Sequence, residues 1–249
     1  MQYAGIDIGS RTIELVVVDE AGEVVASHQE DTGFDPITKA RKMINGTSYD
    51  RIMATGYGRN LFELSFDAPT VTEIKAHATG ARALFPKAGT ILDIGGQDSK
   101  AISLLENGKV QKFEMNDRCA AGTGKFLEIM ATRLGFEIDR FGPEALLAQN
   151  SLNVSSMCTV FAESEVTSLI AKGEKRGEIA RGLHESVVRR AVSMINRVAG
   201  QGELVFTGGV ANNPCMVTLL AETLDREVLV PRDPQAVGAL GAALLLLTQ

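Results

Sequence analysis

The sequence contains no tryptophan, and aromatic residues make up only 5% of its 249 residues. A core must therefore come from aliphatic side chains, and the 45% hydrophobic content is enough for one or two domains. Positive charge is in deficit, with 25 Lys and Arg against 31 Asp and Glu and a net charge of −6. That excludes the clustered basic face of a nucleic-acid binder. Long apolar runs are missing too. The longest, AVGALGAALLLL at 236–247, is too short for a transmembrane helix. The opening MQYAGIDIGS has no basic segment ahead of an apolar one, so no signal peptide is expected. A soluble cytoplasmic protein without a membrane or nucleic-acid partner is the resulting expectation. The three histidines, His28, His77 and His184, have no partner at metal-ligand spacing and are expected on the surface or on helices. Cysteine is scarce as well. Cys119, Cys158 and Cys215 form no C-x-x-C pair, which removes zinc ribbons and dithiol redox motifs. In a reducing compartment the three are free, catalytic or metal-bound rather than disulfide-linked.

What is present is a repeated turn. Residues 4–19 read AGIDIGSRTIELVVVD and residues 90–104 read TILDIGGQDSKAISL. Each is an apolar strand reaching an aspartate, then a glycine turn, then a second strand, which is a hairpin pattern. Asp7 matches Asp93 and Gly9 matches Gly95. A third glycine turn follows a strand in ELVFTGGVANN at 203–213. Helical periodicity marks 72–84, 119–134, 159–172, 178–199 and roughly 235–247. Strands alternating with helices predict an α/β fold of two similar halves. The repeat restarts at Gly89, so the halves are placed at 1–89 and 90–249.

The DIGS and DIGG turns fit phosphate binding. A glycine turn aims backbone N–H groups at an anion without a Cβ in the way. An adjacent carboxylate repels a bare phosphate but suits one accompanied by Mg²⁺, held through water. Asp7 and Asp93 facing each other across a cleft would hold a metal–nucleotide. The stretch NDRCAAGTGK at 116–125 resembles a Walker A loop only in Gly124-Lys125. Cys119 stands at its first glycine and Phe126 at its hydroxyl, so that reading fails.

Cys119 and Cys158 are both expected to open helices, capped by Asn116 or Asp117 in the first case and by Ser156 or Thr159 in the second. A helix N-terminus stabilises a thiolate, or an anionic cluster bound by thiolates. A four-iron cluster takes four cysteines. One chain offers two, and a two-fold dimer would offer four. Two readings stay open on residues alone: cluster ligands, or core thiols that happen to open helices. Met115, Met130, Met157 and Met194 are expected as core filler. The charged run KGEKRGEIAR at 172–181 is expected to be a solvated helix connection.

DIGS at 7–10, DIGGQD at 93–98 and FTGGVANN at 206–213 resemble the phosphate and adenosine motifs of the actin/sugar-kinase/Hsp70 ATPase fold. The resemblance implies β- and γ-phosphates on Gly9, Ser10, Arg11 and Thr12 and on Gly95, Gly96 and Gln97. It places adenosine beside Gly208, Gly209, Asn212 and Gln235. Gln97 would orient the attacking water, and Asp7 and Asp93 would hold Mg²⁺. MNDRCAAGTGKFLEIMA at 115–131, SSMCTVFAESEV at 155–166 and TGYGR at 55–59 resemble the activators of 2-hydroxyacyl-CoA dehydratases. That resemblance covers essentially the whole chain. It implies ATP, Mg²⁺ and one [4Fe–4S] cluster per homodimer, with Cys119 and Cys158 as ligands and Cys215 structural. It further implies ferredoxin or flavodoxin as electron donor and an iron–sulfur dehydratase or CoA-ester reductase as acceptor. One departure is visible. The family reads G-S-T-x-x-K after the first turn, and here Glu14 stands at the lysine, with Arg11 as a candidate substitute. The rivals are a sugar or acetamido-sugar kinase of the same fold without a cluster, and an ATP-binding scaffold that has lost turnover.

Overall fold

The computed structural model describes residues 1–154 and 158–248. The capping expectation for Ser156 and the core expectation for Met157 lie outside the described residues. Two mixed sheets form the framework. The first has the order β3-β2-β1-β4, from β1 (Tyr3–Ile8), β2 (Thr12–Val18), β3 (Val24–Asp31) and β4 (Arg51–Thr55). The second runs β7-β6-β5-β8-β9, from β5 (Ala88–Ile94), β6 (Ser99–Leu104), β7 (Val110–Asn116), β8 (Glu203–Thr207) and β9 (Val228–Leu229). Each is an antiparallel three-strand meander with a parallel strand added beside its first member. The repeat seen in the sequence is therefore a repeat of topology.

Helices occupy the connections: α1 (Pro36–Asn45), α2 (Arg59–Phe66), α3 (Glu73–Leu84), α4 (Gly124–Leu134), α5 (Ile138–Leu146), α6 (Thr159–Ala171), α7 (Arg176–Val198), α8 (Pro214–Leu224) and α9 (Val237–Leu246). Strands β1 and β5 are buried along almost their whole length, as central strands covered on both faces must be. The second half packs α4, α5, α7 and α8 against its sheet through Phe126, Met130, Phe141, Leu183, Met194 and Met216. Met115, by contrast, is 40% exposed and lies at the cleft, because the outer strand β7 points it away from the core.

Helix α9 is apolar all round, which only a surrounded helix can be. It lies on β1, β2 and β4 of the first sheet and crosses α3. Residues 237–246 thus complete the core of the half that precedes Gly89. At the crossing a Cβ on Gly241 would collide with the Ala76 carbonyl, and one on Gly80 with the Val237 carbonyl. Among the described residues no helix is long and apolar enough to cross a membrane.

Candidate functional site

The two glycine turns are built alike. Gly9 N–H donates to the Thr12 carbonyl, and Gly95 N–H to the Asp98 carbonyl, each at 3.0 Å. They meet tip to tip: a Cβ on Gly96 would lie 2.9 Å from Arg11 Cβ and 3.1 Å from Ser10 Oγ. Between them opens a cleft of about 780 Å³. Its walls contain Asp7, Gly9, Ser10, Arg11, Thr12, Asp93, Gly95, Gly96, Gln97, Gly208, Gly209, Asn212 and Gln235. All the residues assigned to the nucleotide from the sequence are therefore brought to one cavity.

The floor of the cleft is a network of buried charges. His77 on α3 stands between the two aspartates, with Nδ1 3.5 Å from Asp93 Oδ1 and Nε2 3.9 Å from Asp7 Oδ2. Lys100 Nζ sits 2.7 Å from Glu73, 2.8 Å from Asp98 and 3.1 Å from Asp93. Thr207 Oγ1 donates to Asp93 Oδ1 at 2.9 Å. Burial favours the protonated form of Asp93, yet His77, Lys100 and the Thr207 bond outweigh it and hold its carboxyl below the usual range. Burial likewise opposes the charge on Lys100, but its three carboxylates keep the ammonium well above its ordinary value. Asp7 has weaker support, with Lys100 acting on it without an ion pair. Burial, then the nearby Glu14, lift it well above the usual carboxylate range. Burial also pushes Glu14 up to about 7.

Sequence reasoning missed His77, Lys100 and Glu73. His77 and His184 do lie on helices, as expected, but both are buried. The signal for Lys100 was in the repeat. It stands seven positions after Asp93, as Glu14 does after Asp7, and each pair is directly opposite across its hairpin.

On the other wall, Gly208 adopts φ +83° and donates its N–H to the Pro234 carbonyl at 2.8 Å. Asn212 Nδ2 donates to Gln235 Oε1 at 3.2 Å, and Gln235 Nε2 donates to Thr12 Oγ1 at 3.1 Å. The third glycine turn is thereby tied to the first. Arg11 does not replace the missing lysine. Its guanidinium turns outward to Glu128 at 2.9 Å and Asp31 at 3.3 Å.

The cysteine motifs differ from expectation at Cys119 and in their caps. Cys158 is the N-cap of α6, without a side-chain cap bond from itself or Thr159. Cys119 does not open a helix: α4 begins at Gly124, with Thr123 as N-cap. Gly122, at φ +90°, breaks the helical path. Asn116 and Asp117 are not caps. Asn116 Nδ2 instead donates to the carbonyls of Cys119 and Ala121 at 2.9 and 3.3 Å, pinning the loop. The first N–H groups of α4 are spent on the second phosphate turn, Gly124 to the Gly95 carbonyl at 2.9 Å and Lys125 to that of Gly96 at 2.8 Å. A Cβ on Gly124 would lie 3.0 Å from the Gly95 oxygen, so glycine permits this docking. Cys119 and Cys158 are both exposed, ahead of helices that touch through Arg133, whose Nη2 donates to Thr167 Oγ1 at 2.8 Å. Val160 and Phe161 beside Cys158 are also exposed. Cys215 is fully buried on α8, and burial pushes its thiol up to about 12, as befits a packing residue.

The sequence model of the BadF/BadG/BcrA/BcrD ATPase family matches residues 4–245. The activator of lactoyl-CoA dehydratase from Anaerotignum propionicum is 41% identical, over 98% of this chain and 96% of its own length. The solved activator of the 2-hydroxyisocaproyl-CoA dehydratase from Clostridium difficile, with bound ADPNP, superposes with a TM-score of 0.92 at 37% identity, over 100% of this chain and 95% of its own. A ROK family glucokinase from Streptomyces griseus superposes with a TM-score of 0.62 at 14% identity, over 98% of this chain and 99% of its own. That likeness concerns the fold alone, the two-halved α/β architecture of actin-like sugar kinases.

Proposed function

Because the chain belongs to the BadF/BadG/BcrA/BcrD ATPase family, we propose that it is an ATP-hydrolysing activator that passes single electrons to an iron–sulfur 2-hydroxyacyl-CoA dehydratase or related CoA-ester reductase. The observation that carries this reading is the docking of α4 on the second phosphate turn, which joins the nucleotide cleft to the Cys119 loop by two backbone hydrogen bonds. The turns at Gly9–Thr12 and Gly95–Gln97 bind the phosphates through backbone N–H groups. Asp7 and Asp93 hold Mg²⁺ through water, and Gln97, exposed at the tip of its turn, orients the attacking water. Gly208, Gly209, Asn212 and Gln235 border the adenosine. The halves 1–89 and 90–249, with α9 returning to the first sheet, shift as nucleotide binds and is hydrolysed. ATP drives that shift only by binding the two arrangements with different affinity.

The cysteines fit a shared cluster. Two exposed, unbridged thiols per chain, one in the loop before α4 and one at the N-cap of α6, become four in a two-fold dimer. Cys119 and Cys158 would hold a [4Fe–4S] group, which when bound stores the electron taken from ferredoxin or flavodoxin. Among the described residues no three His, Cys, Asp or Glu side chains converge on a metal, so one chain alone is not a cage. The exposed Val160 and Phe161 supply apolar surface for the dimer contact. As for a kinase, Asp98, a carboxylate available as a base, is held by Lys100.

Anaerobically purified protein is expected to contain about two irons and two sulfides per chain in a dimer. Cys119→Ser should lose this iron and keep nucleotide binding. Full iron in that variant would remove Cys119 from the ligand set. An iron-free protein after anaerobic reconstitution would put the sugar-kinase reading first.

A further inference from the structure

The two halves repeat one constellation but complete it differently. In the second half, Asp93 is flanked on the same sheet face by Lys100 of β6 and Thr207 of β8, and both bond to it. In the first half, Asp7 is flanked in the same register by Glu14 of β2 and Thr55 of β4. There Thr12 bonds the Glu14 carboxyl, but two polar atoms are orphans. Glu14 is 5% exposed, yet its Oε1 has no hydrogen-bond partner, and neither does the fully buried Thr55 Oγ1. Like charges directly opposite on a sheet face repel. Among the described residues no lysine or arginine forms an ion pair with Asp7 or Glu14. Their nearest counterpart is His77, 3.9 Å from Asp7, while Arg11 is engaged by Glu128 and Asp31. An orphaned buried carboxylate oxygen beside a second carboxylate, at the wall of an anion-binding cleft, describes a site for a positive charge.

We propose that a monovalent alkali cation binds at Glu14 and Asp7 and takes the place that Lys100 fills in the other half. The charge to be supplied is one. The chain contributes two carboxylates, with the Thr55 hydroxyl on the same face, and a phosphate oxygen and water complete the shell. An ion in the place of Lys100 carries one charge, which sets it apart from the Mg²⁺ that Asp7 and Asp93 hold through water. The cation screens Asp7 and Glu14 from the incoming phosphates. The inference rests on the nucleotide reading of the cleft.

The test is equilibrium binding of ATP at saturating Mg²⁺, in potassium chloride and in tetramethylammonium chloride at equal ionic strength. Binding is expected to be about tenfold tighter in potassium, within the usual range of coupling between two sites. By reciprocity ATP should sharpen potassium binding by the same factor, and binding of thallium(I), a potassium mimic visible by NMR, in the same direction. Glu14→Lys should bind ATP in tetramethylammonium as tightly as the unsubstituted protein does in potassium, and Glu14→Gln should lose the difference between salts. Equal ATP affinity in both salts for the unsubstituted protein overturns the cation site and leaves the nucleotide reading standing. Absence of ATP binding in either salt overturns both.

Discussion

Lys100 is a single buried ammonium holding three carboxylates, within 2.7 to 3.1 Å of the half-buried Glu73 and Asp98 and the buried Asp93. Removing one partner of a buried ionic group is far costlier than losing a surface pair, because the remaining charges stay desolvated. Lys100→Met is therefore expected to cost about 3–5 kcal/mol, read as a lower urea midpoint at an unchanged slope. An unchanged midpoint would mean that the network contributes nothing net. His184 on α7 makes the second residue-scale prediction. Its Nδ1 faces the Ala180 carbonyl at 2.7 Å, so that nitrogen carries the proton, and Nε2 accepts from Asn213 Nδ2 at 2.9 Å. Burial lowers its pKa to about 4 from 6.5. Between those values the unfolded chain binds a proton that the native state refuses, so stability falls as the pH drops from about 6.5 to about 4. The loss at this group is roughly 3 kcal/mol. Glu14, raised to about 7 from 4.5, acts in the opposite sense. Its native carboxyl keeps a proton that the unfolded chain releases, so its share of stability falls as pH rises through that window. Subtracting the pH profile of His184→Gln isolates the histidine. A difference that stays flat from pH 4 to 6.5 would show that the imidazole titrates normally.

Among the elements, α4 does most to connect distant parts. Its first two N–H groups bond the second phosphate turn, and its preceding loop carries Cys119. Gly124→Val would push side-chain carbons onto the Gly95 carbonyl, weakening that docking by about 1–3 kcal/mol, the usual range for overpacking. In the unsubstituted protein, ATP is expected to change the alkylation rate of the exposed Cys119 thiol; in Gly124→Val that response should vanish. A preserved response would mean that the coupling runs elsewhere. The start of this helix is also where sequence reading went astray. Asn116 and Asp117 have cap chemistry, but the helix waits until Gly124, where the tertiary contact with Gly95 and Gly96 holds its first turn. Helices with a clear apolar stripe or an all-apolar run, α3, α7 and α9, were legible to within a few residues. Strand β3 was not, because most of its residues face solvent and alternate only weakly, and the short α2, α5 and α8 carry too few turns for periodicity to speak. At the site, the convergence of the glycine turns and their aspartates on one cleft was legible because close backbone approach demands glycine and the turn repeats in the sequence. Glu73 and His77 were not. They arrive on α3 from a distant part of the chain, and only the fold puts them beside Asp93.

At the scale of the whole molecule, two sheets of matching topology are joined unequally. At the cleft mouth the halves meet through Arg11 and Glu128, an ion pair whose arginine is 57% exposed. Pairs of that kind contribute about 1 kcal/mol or less, so nucleotide meets little resistance there. At the base, α3 and α9 cross at Gly80 and Gly241, where backbone touches backbone. Gly241→Val cannot be absorbed by a flexible neighbour, since the obstacle is the Ala76 carbonyl. It is expected to lower stability by at least about 1–3 kcal/mol, seen as a fall of several degrees in Tm. A melting point within one degree, about the reach of a neutral substitution, would place the joint elsewhere. The same crossing bears on how the protein is made. The helix that roofs β1, β2 and β4 follows the whole second sheet in the chain, so the first sheet leaves the ribosome with one apolar face bare. It stays so while the entire second half is translated. Nascent chains stalled before Val237 should be sought by chaperones that bind exposed aliphatic strands, and released once residues 237–246 clear the exit tunnel.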